Sequence, residues 1–257
     1  KIMGYFNVTV VPEIPASSQQ SAAFTAADNL FGWVSFEIPK GGAKLIGATM
    51  MVRPKGNASP SANEKGAFLV FATNDSQPIG TINSAPSRIP SNDFIGFVEF
   101  DDATSYAATI NSTSVAVTGR SSTDNNTHPS IVFAREDGSE GQGSSVGYDK
   151  FYMRGIANGA FDFVADPGNT IQTTEAASAT IHCDGSGMDL REHFLPGDVL
   201  HTATTVGAAD ADSLIGTVLT VDSATNITLT DTAAVTHVDG TIIMNINPIR
   251  IILHFEK

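Results

Sequence analysis

Apolar and polar residues alternate over short segments of this chain, and turn-forming residues separate the segments. The clearest segment is residues 249–256, in which Ile, Ile, Leu and Phe occupy every second position. Successive side chains of a strand point to opposite faces, so this period of two predicts a half-buried strand. Ile251 and Leu253 are expected in the core, whereas Arg250 and Glu256 are expected to face the other way.

Nine apolar segments precede this strand, and the polar spacers between them are typical of surface loops. Helical periodicity is not visible in them. Strands at irregular spacing, with turns rich in Gly and Pro, predict an all-β fold, a jelly-roll-like β-sandwich. Phenylalanines inside these segments, such as Phe36, Phe97 and Phe133, are expected to pack in its core. The segments are residues 2–10, 34–38, 45–52, 68–71, 95–100, 114–117, 131–134, 151–154 and 161–163.

A different pattern lies between residues 194 and 230. Residues 196–198, Pro-Gly-Asp, form a turn sequence, because proline presets φ and glycine accepts a positive φ. A strand is expected to begin at Val199. Residues 215–221 and 227–230 are rich in β-branched residues and alternate, with a turn sequence between them, so they predict a hairpin. Together these features predict a small β-barrel near the C-terminus.

Charge separates this barrel from the rest of the chain. Residues 166–245 contain eleven acidic residues and one basic residue, Arg191. Because an apolar strand returns directly after Asn247 and Pro248, the barrel is predicted to be inserted into the sandwich, and long insertions cost little loop entropy. The predicted domains are a β-sandwich at 1–165, an inserted small β-barrel at 166–247 and a final strand returning to the sandwich at 248–257.

Composition narrows the possible functions. The net charge of −13 disfavours sequence-independent binding to nucleic-acid phosphates. The single cysteine, Cys183, cannot form an intrachain disulfide, and no apolar run approaches the ~20 residues that span a bilayer. No signal-peptide pattern opens the sequence. We therefore expect a soluble protein, made in a host cytoplasm, with no nucleic-acid and no membrane partner.

Candidate catalytic and metal-binding residues are few. The six histidines show no metal-ligand spacing, and the adjacent His182 and Cys183 are expected to point to opposite faces of a strand. Nucleophile-elbow, P-loop and dinucleotide motifs are absent. Two acidic loops, one with Asp184 and one with Asp210 and Asp212, lack the twelve-residue calcium pattern. We predict a protein that is not an enzyme and has no catalytic residues, no metal and no cofactor.

Two parts of the chain carry a resemblance to virion proteins. The barrel pattern, with Gly-Asp-Val at 197–199 and Ile-Gly-Thr-Val at 215–218, resembles small barrel modules that recur in virion proteins of tailed bacteriophages. Residues 5–15, 30–41 and 45–48 resemble a group of virion structural proteins encoded by marine tailed phages, such as cyanophages. The resemblance implies a position on the capsid surface or in the tail, and it contains no catalytic motif.

The resemblance implies a capsid decoration or cement protein that binds the capsid lattice and is located in the virion. Its partners would be the major capsid protein or other virion subunits, and it would be a homo-oligomer. One alternative is a tail, baseplate or fibre component with host-glycan recognition. Another is a polysaccharide-degrading enzyme, which would hold paired carboxylates about 5–9.5 Å apart in a groove.

Attachment is predicted at residues 11–29, a segment rich in Ser, Gln and Ala. Its apolar periodicity is too weak to predict packing on its own chain. Such a segment can become ordered on a neighbouring subunit, where repeated weak contacts gain strength through effective concentration. The predicted interface residues are Pro12, Pro15, Phe24 and Phe31.

Overall fold

The structure, a computed structural model, describes eleven ranges of the chain. These are residues 4–52, 66–76, 78–86, 94–100, 106–109, 115–119, 129–135, 146–164, 169–186, 189–207 and 210–257. Residues 106–109 and 115–119 are described by their backbone alone. Among all these residues, no helix has the length and hydrophobicity that crossing a membrane requires.

The described residues form fifteen strands and two short helices. The first part of the chain holds β1 Tyr5–Val10, α1 Ala16–Ser21, β2 Asn29–Pro39, β3 Ala43–Val52, β4 Ala67–Ala72, β5 Phe94–Phe100, β6 Tyr106–Thr109, β7 Val115–Gly119, β8 Ile131–Phe133 and β9 Tyr148–Ala157. The second part holds β10 Thr180–His182, α2 Leu190–His193, β11 Val199–Thr202, β12 Leu214–Val221, β13 Asn226–Leu229, β14 Ile243–Asn245 and β15 Ile249–Glu256.

Eight strands form a sandwich of two antiparallel sheets. The first sheet has the order β1-β15-β3-β8, and the second has the order β2-β9-β4-β5. Along the chain the eight strands alternate between the sheets at every step except from β4 to β5. This order is that of a jelly roll and confirms the predicted sandwich. The hairpin of β6 and β7 extends the first sheet, with β7 paired to β3.

The sandwich core is largely aromatic. The Phe133 ring on β8 lies 5.2–5.7 Å, centroid to centroid, from the rings of Phe36, Phe71, Phe151 and Phe255. These edge-to-face pairs each add about 0.5–1.5 kcal/mol beyond the burial of their area. Because the rings come from both sheets, the cluster holds the two sheets together. The core positions predicted for Phe36 and Phe133 are confirmed.

The last strand lies inside the first sheet, paired with β1 on one side and β3 on the other. Ile251 and Leu253 are fully buried, Arg250 is exposed, and Glu256 is half-buried. The period-of-two prediction for this strand is therefore confirmed, and β15 pairs with strands of the first sheet.

Residues 161–163 do not form the predicted strand. Phe161 makes a single antiparallel bridge with Phe24, and the rings of Phe161 and Phe163 are both fully buried. The segment is anchored by its rings, since the Phe161 and Phe163 centroids lie 5.9 Å apart. Two aromatic residues at alternate positions can therefore both be buried in the core without belonging to a strand.

The C-terminal part folds into the predicted barrel. Its five antiparallel strands have the order β10-β13-β12-β11-β14. The sheet closes because Ile171 bridges Cys183, which follows β10, and Thr170 bridges Ile242, which precedes β14. The predicted hairpin is the pair β12–β13.

The Pro-Gly-Asp turn leads into β11 as predicted. Gly197 has a φ of +91°, and the Asp198 backbone N–H donates to the Leu195 carbonyl at 3.0 Å. The Asp198 carboxylate also accepts a bond from the Leu195 N–H at 2.9 Å. The backbone and the side chain of Asp198 therefore both stabilise the turn.

The barrel has a buried core of its own. Its members are Ile171, Ile181, Cys183, Leu190, Phe194, Leu200, Ile215, Val218, Ile227, Leu229, Ala233 and Ile243. At the base of the barrel, Ala203, Met244 and Ile246 belong to the sandwich core. Apolar contacts therefore join the two parts in addition to the chain connections. The boundary at 165/166 lies outside the described residues, and this boundary and the one at 247/248 stay predictions.

Candidate functional site

The predicted attachment segment, residues 11–29, packs against its own chain. The carboxylate of Asp212 in the barrel accepts a 2.9 Å bond from the Ser17 backbone N–H at the start of α1, and a second bond from the Ser17 hydroxyl. Gln19 is buried, and its amide donates to the Asn245 carbonyl at 3.0 Å. The premise that this segment lacks a packing partner in its own chain is therefore wrong.

Phe24 and Phe31 are both fully buried, so their predicted place at a surface is corrected. The Phe24 ring meets Phe163 edge-on at 5.9 Å. Phe31 fills the space beside Gly155, where an added Cβ would lie 2.3 Å from Phe31 Cε1. Isolated aromatics of this kind fill gaps left by distant residues, and local periodicity does not reveal such gaps.

The two predicted prolines also lie close to the rest of the chain. Pro12 is buried, and its carbonyl accepts a 3.3 Å bond from the Asn247 amide. Pro15 is half-buried and directly precedes α1. A contact of this segment with another subunit stays a prediction. Its exposed residues would make that contact, since Phe24 and Phe31 are buried.

The outer face of the second sheet carries exposed aromatic side chains that sequence analysis did not assign to a site. Phe94 and Phe97 on the edge strand β5 are 55% and 39% exposed. The Phe97 ring lies 6.1 Å from that of Phe68 on β4 and 6.5 Å from that of Phe94. We call Phe68, Phe94 and Phe97 the aromatic face. Contiguous exposed apolar residues on a soluble protein mark interaction surfaces.

Two cation–aromatic pairs lie on β9 and β2 of the same sheet. Lys150 Nζ lies 5.3 Å from the Tyr152 ring centroid, and Arg154 Cζ lies 5.4 Å from that of Trp33. Arg154 is buried, its Nε and Nη1 have no hydrogen-bond partner, and burial lowers its pKa. The indole face of Trp33 offsets part of the cost of burying this charge.

The core position predicted for Phe97 is wrong, and the sequence contains the signal that shows why. Val98 and Phe100 on β5 are fully buried, so Phe97 and Glu99 share the outward face of that strand. A charged residue two positions after an aromatic one places both on the solvent side. Because residues two apart on a strand share a face, the outward position of Glu99 predicts that Phe97 is exposed as well.

The histidine and cysteine singled out by sequence analysis lie on opposite sides of the barrel wall. His182 Nδ1 is 2.6 Å from Glu175 Oε1 at the barrel surface, whereas Cys183 points into the barrel core. Burial raises the pKa of Cys183 to about 12, so the thiol stays protonated at neutral pH and is a poor nucleophile. His182 and Cys183 therefore offer no shared metal site.

The acidic residues of the two loops considered for calcium have different surroundings. Asp184 and Asp210 are exposed, whereas the Asp212 carboxylate accepts bonds from Ser17 in α1. Among the residues that the structure describes, no group of three or more His, Cys, Asp or Glu side chains is arranged to hold a metal ion. Asp212 is explained by its structural role in joining the barrel to α1.

Other barrel carboxylates are held in their charged form by local hydrogen bonds. The Arg191 side chain pairs with Asp189 at 2.6 Å and lowers the pKa of Asp189. Bonds from the hydroxyls of Thr228 and Thr220 lower the pKa of Asp222. The barrel therefore presents fixed negative charge at neutral pH.

Comparisons with known proteins assign no family to the chain. No protein-family model matches the chain, and no curated protein matches it. Among solved structures there is a weak likeness to a viral major capsid protein, described as "Crystal Structure of the STIV MCP". It has 10% sequence identity and a TM-score of 0.15, and it covers 98% of this chain and 96% of that one. A likeness of this size carries no argument about fold or function.

Proposed function

We propose that this protein is a non-enzymatic structural subunit of a tailed-phage virion, and specifically a capsid decoration or cement protein. Jelly rolls occur in viral capsid proteins and also in lectins and cupins. The architecture therefore supports a virion structural protein but does not by itself distinguish it from these other functions. The observation that carries the proposal is the aromatic face, an exposed apolar cluster on the outer side of the second sheet.

The aromatic face suits attachment to another virion subunit. Phe94 and Phe97 already contact each other, so little side-chain entropy is lost when they are covered. Aromatic residues are enriched among the side chains that dominate binding energy at interfaces. Glu99 and Asn158, joined by a 3.1 Å hydrogen bond, provide a polar rim beside them.

The acidic barrel fits a position on the outside of a particle. Its eleven acidic residues against one basic residue repel the phosphates of packaged nucleic acid. We therefore expect the barrel to face away from the genome, with the major capsid protein or another virion subunit under the sandwich. Repetition over the lattice and a homo-oligomeric state strengthen each weak contact.

Co-sedimentation of the full chain with emptied capsid shells tests the proposal. The unmodified protein should bind saturably, and a Phe94→Ser, Phe97→Ser double variant should lose binding while remaining folded. Tyr5→Ser is the matched control, because Tyr5 is a 69% exposed aromatic residue on the other sheet. Binding of the double variant at the level of the control would refute the aromatic face as the attachment surface. No binding by the unmodified protein would refute the decoration role.

The alternative function is a tail, baseplate or fibre component with host-glycan recognition. One observation favours it, a pocket on the outer face of the first sheet lined by Lys44 and His254 among others.

A further inference from the structure

The pocket lies on the far side of the sandwich from the aromatic face and has a volume of about 500 Å³. Its floor is formed by Ile46 and Gly47 on β3, one wall by His254 on β15, and the other wall by Pro129 and Ser130 before β8. Sites for small ligands typically have volumes of ~300–1,000 Å³ and mostly apolar linings with a few polar groups. This pocket meets both criteria.

Gly47 keeps the pocket open. It is the register partner of His254, and a Cβ added at position 47 would lie 3.3 Å from His254 Cδ2. A larger side chain would fill the floor and push the imidazole aside. The absence of a side chain at this position therefore creates the depression.

Two hydrogen bonds fix the His254 ring as a wall. Nδ1 lies 2.9 Å from Asn7 Oδ1, and Nε2 lies 3.3 Å from Thr49 Oγ1. An amide oxygen only accepts, so Nδ1–H is the donor to Asn7, and in that tautomer Nε2 accepts from the Thr49 hydroxyl. The Thr49 oxygen keeps its lone pairs for a hydroxyl of a ligand.

Lys44 is the lysine of the pocket lining. A cation here is notable in a chain with a net charge of −13. Glu256 is the register partner of Lys44, but no ion pair within 4.0 Å joins the two side chains. The exposed Lys44 ammonium is therefore available to an anionic group of a ligand.

We propose that this pocket binds a carboxylate-bearing sugar unit of a glycan, of the uronate type. The apolar face of the pyranose ring packs on Ile46 and Pro129. Its hydroxyls donate to the oxygens of Thr49 and Ser130, and its carboxylate pairs with Lys44. This binding site goes beyond attachment to a virion and does not depend on it, because the aromatic face lies on the other sheet.

Binding is tested by calorimetric titration of the full chain with short galacturonate oligomers. Galactose oligomers of the same length are the neutral control, and acetate is the probe for a bare carboxylate. We expect the acidic oligomer to bind about tenfold more tightly than the neutral one, the effect of one charge-assisted contact. Acetate alone should not bind in the same concentration range. Equal affinities for the two oligomers, or equal affinity for acetate, would overturn the proposal.

Three variants connect binding to the pocket. Gly47→Val should abolish galacturonate binding, and Lys44→Gln should reduce it about tenfold. Arg250→Gln is the matched control, because Arg250 is an exposed cation on the same face of β15 as His254. Circular dichroism checks that each variant is folded, and co-sedimentation with shells should be unchanged in all three. Galacturonate binding that persists in folded Gly47→Val, or that falls equally in Arg250→Gln, would overturn the proposal without affecting the decoration role.

Discussion

Replacing Leu253 by alanine is expected to destabilise the sandwich strongly. Leu253 is fully buried on β15, between its register partners Val8 on β1 and Ala48 on β3. Losing three buried carbons costs about 2.4 kcal/mol at ~0.8 kcal/mol each. A residual cavity of about 60 Å³ adds about 1.4 kcal/mol at ~24 cal/mol per Å³. The expected loss in the free energy of unfolding is therefore about 3–4 kcal/mol.

Urea denaturation followed by tryptophan fluorescence measures this loss. Trp33 is the single tryptophan of the chain and lies on β2, so its signal follows the sandwich and not the barrel. Arg250→Ala is the control on the same strand, and its exposed side chain should change stability by less than about 0.5 kcal/mol. Similar losses for Leu253→Ala and Arg250→Ala would refute the register assigned to β15.

Three further predictions follow from the fold. Replacing residues 166–247 by a short Gly/Ser linker should leave a folded but less stable sandwich, and an aggregated product in gel filtration would contradict the domain boundaries. Gly155→Ala should lower the melting temperature, because its Cβ would meet Phe31 at 2.3 Å, whereas Gly32→Ala has no atom within 4 Å and should be tolerated. Burial lowers the pKa of His237, whose ring nitrogens have no hydrogen-bond partner, so the unfolded chain binds protons more readily. Stability should therefore fall as the pH drops below ~6.5, and thermal melts of His237→Phe should lack this part of the acid sensitivity.

The strands and their inward faces could be predicted from the sequence because a period of two is a local property. Residues 249–256 and the hairpin of β12 and β13 are examples, and both are confirmed. The Pro-Gly-Asp turn before Val199 was predictable for the same reason, since its backbone conformation follows from three adjacent residues.

The surfaces of the molecule depend on residues far apart in the chain and were harder to predict. Phe31 is buried because Gly155, on another strand, leaves room for its ring. The pocket exists because the register places Gly47 opposite His254. Neither pairing has a local signal. The exposure of Phe97 is the exception, because Glu99 on the same strand reveals its face.

The insertion of the barrel before β15 determines the order in which the chain becomes structured during synthesis. β1 and β3 are made early, but each is paired with β15, which leaves the ribosome only after the whole barrel. The barrel hairpin joins neighbouring segments and can form quickly, whereas pairing of β1 with β15 joins segments separated by most of the chain. A nascent chain therefore carries a structured barrel beside a sandwich with open strand edges, which are prone to aggregation. Completion of the sandwich is expected to be a single late step, and slower translation or lower temperature during expression should raise the yield of folded protein.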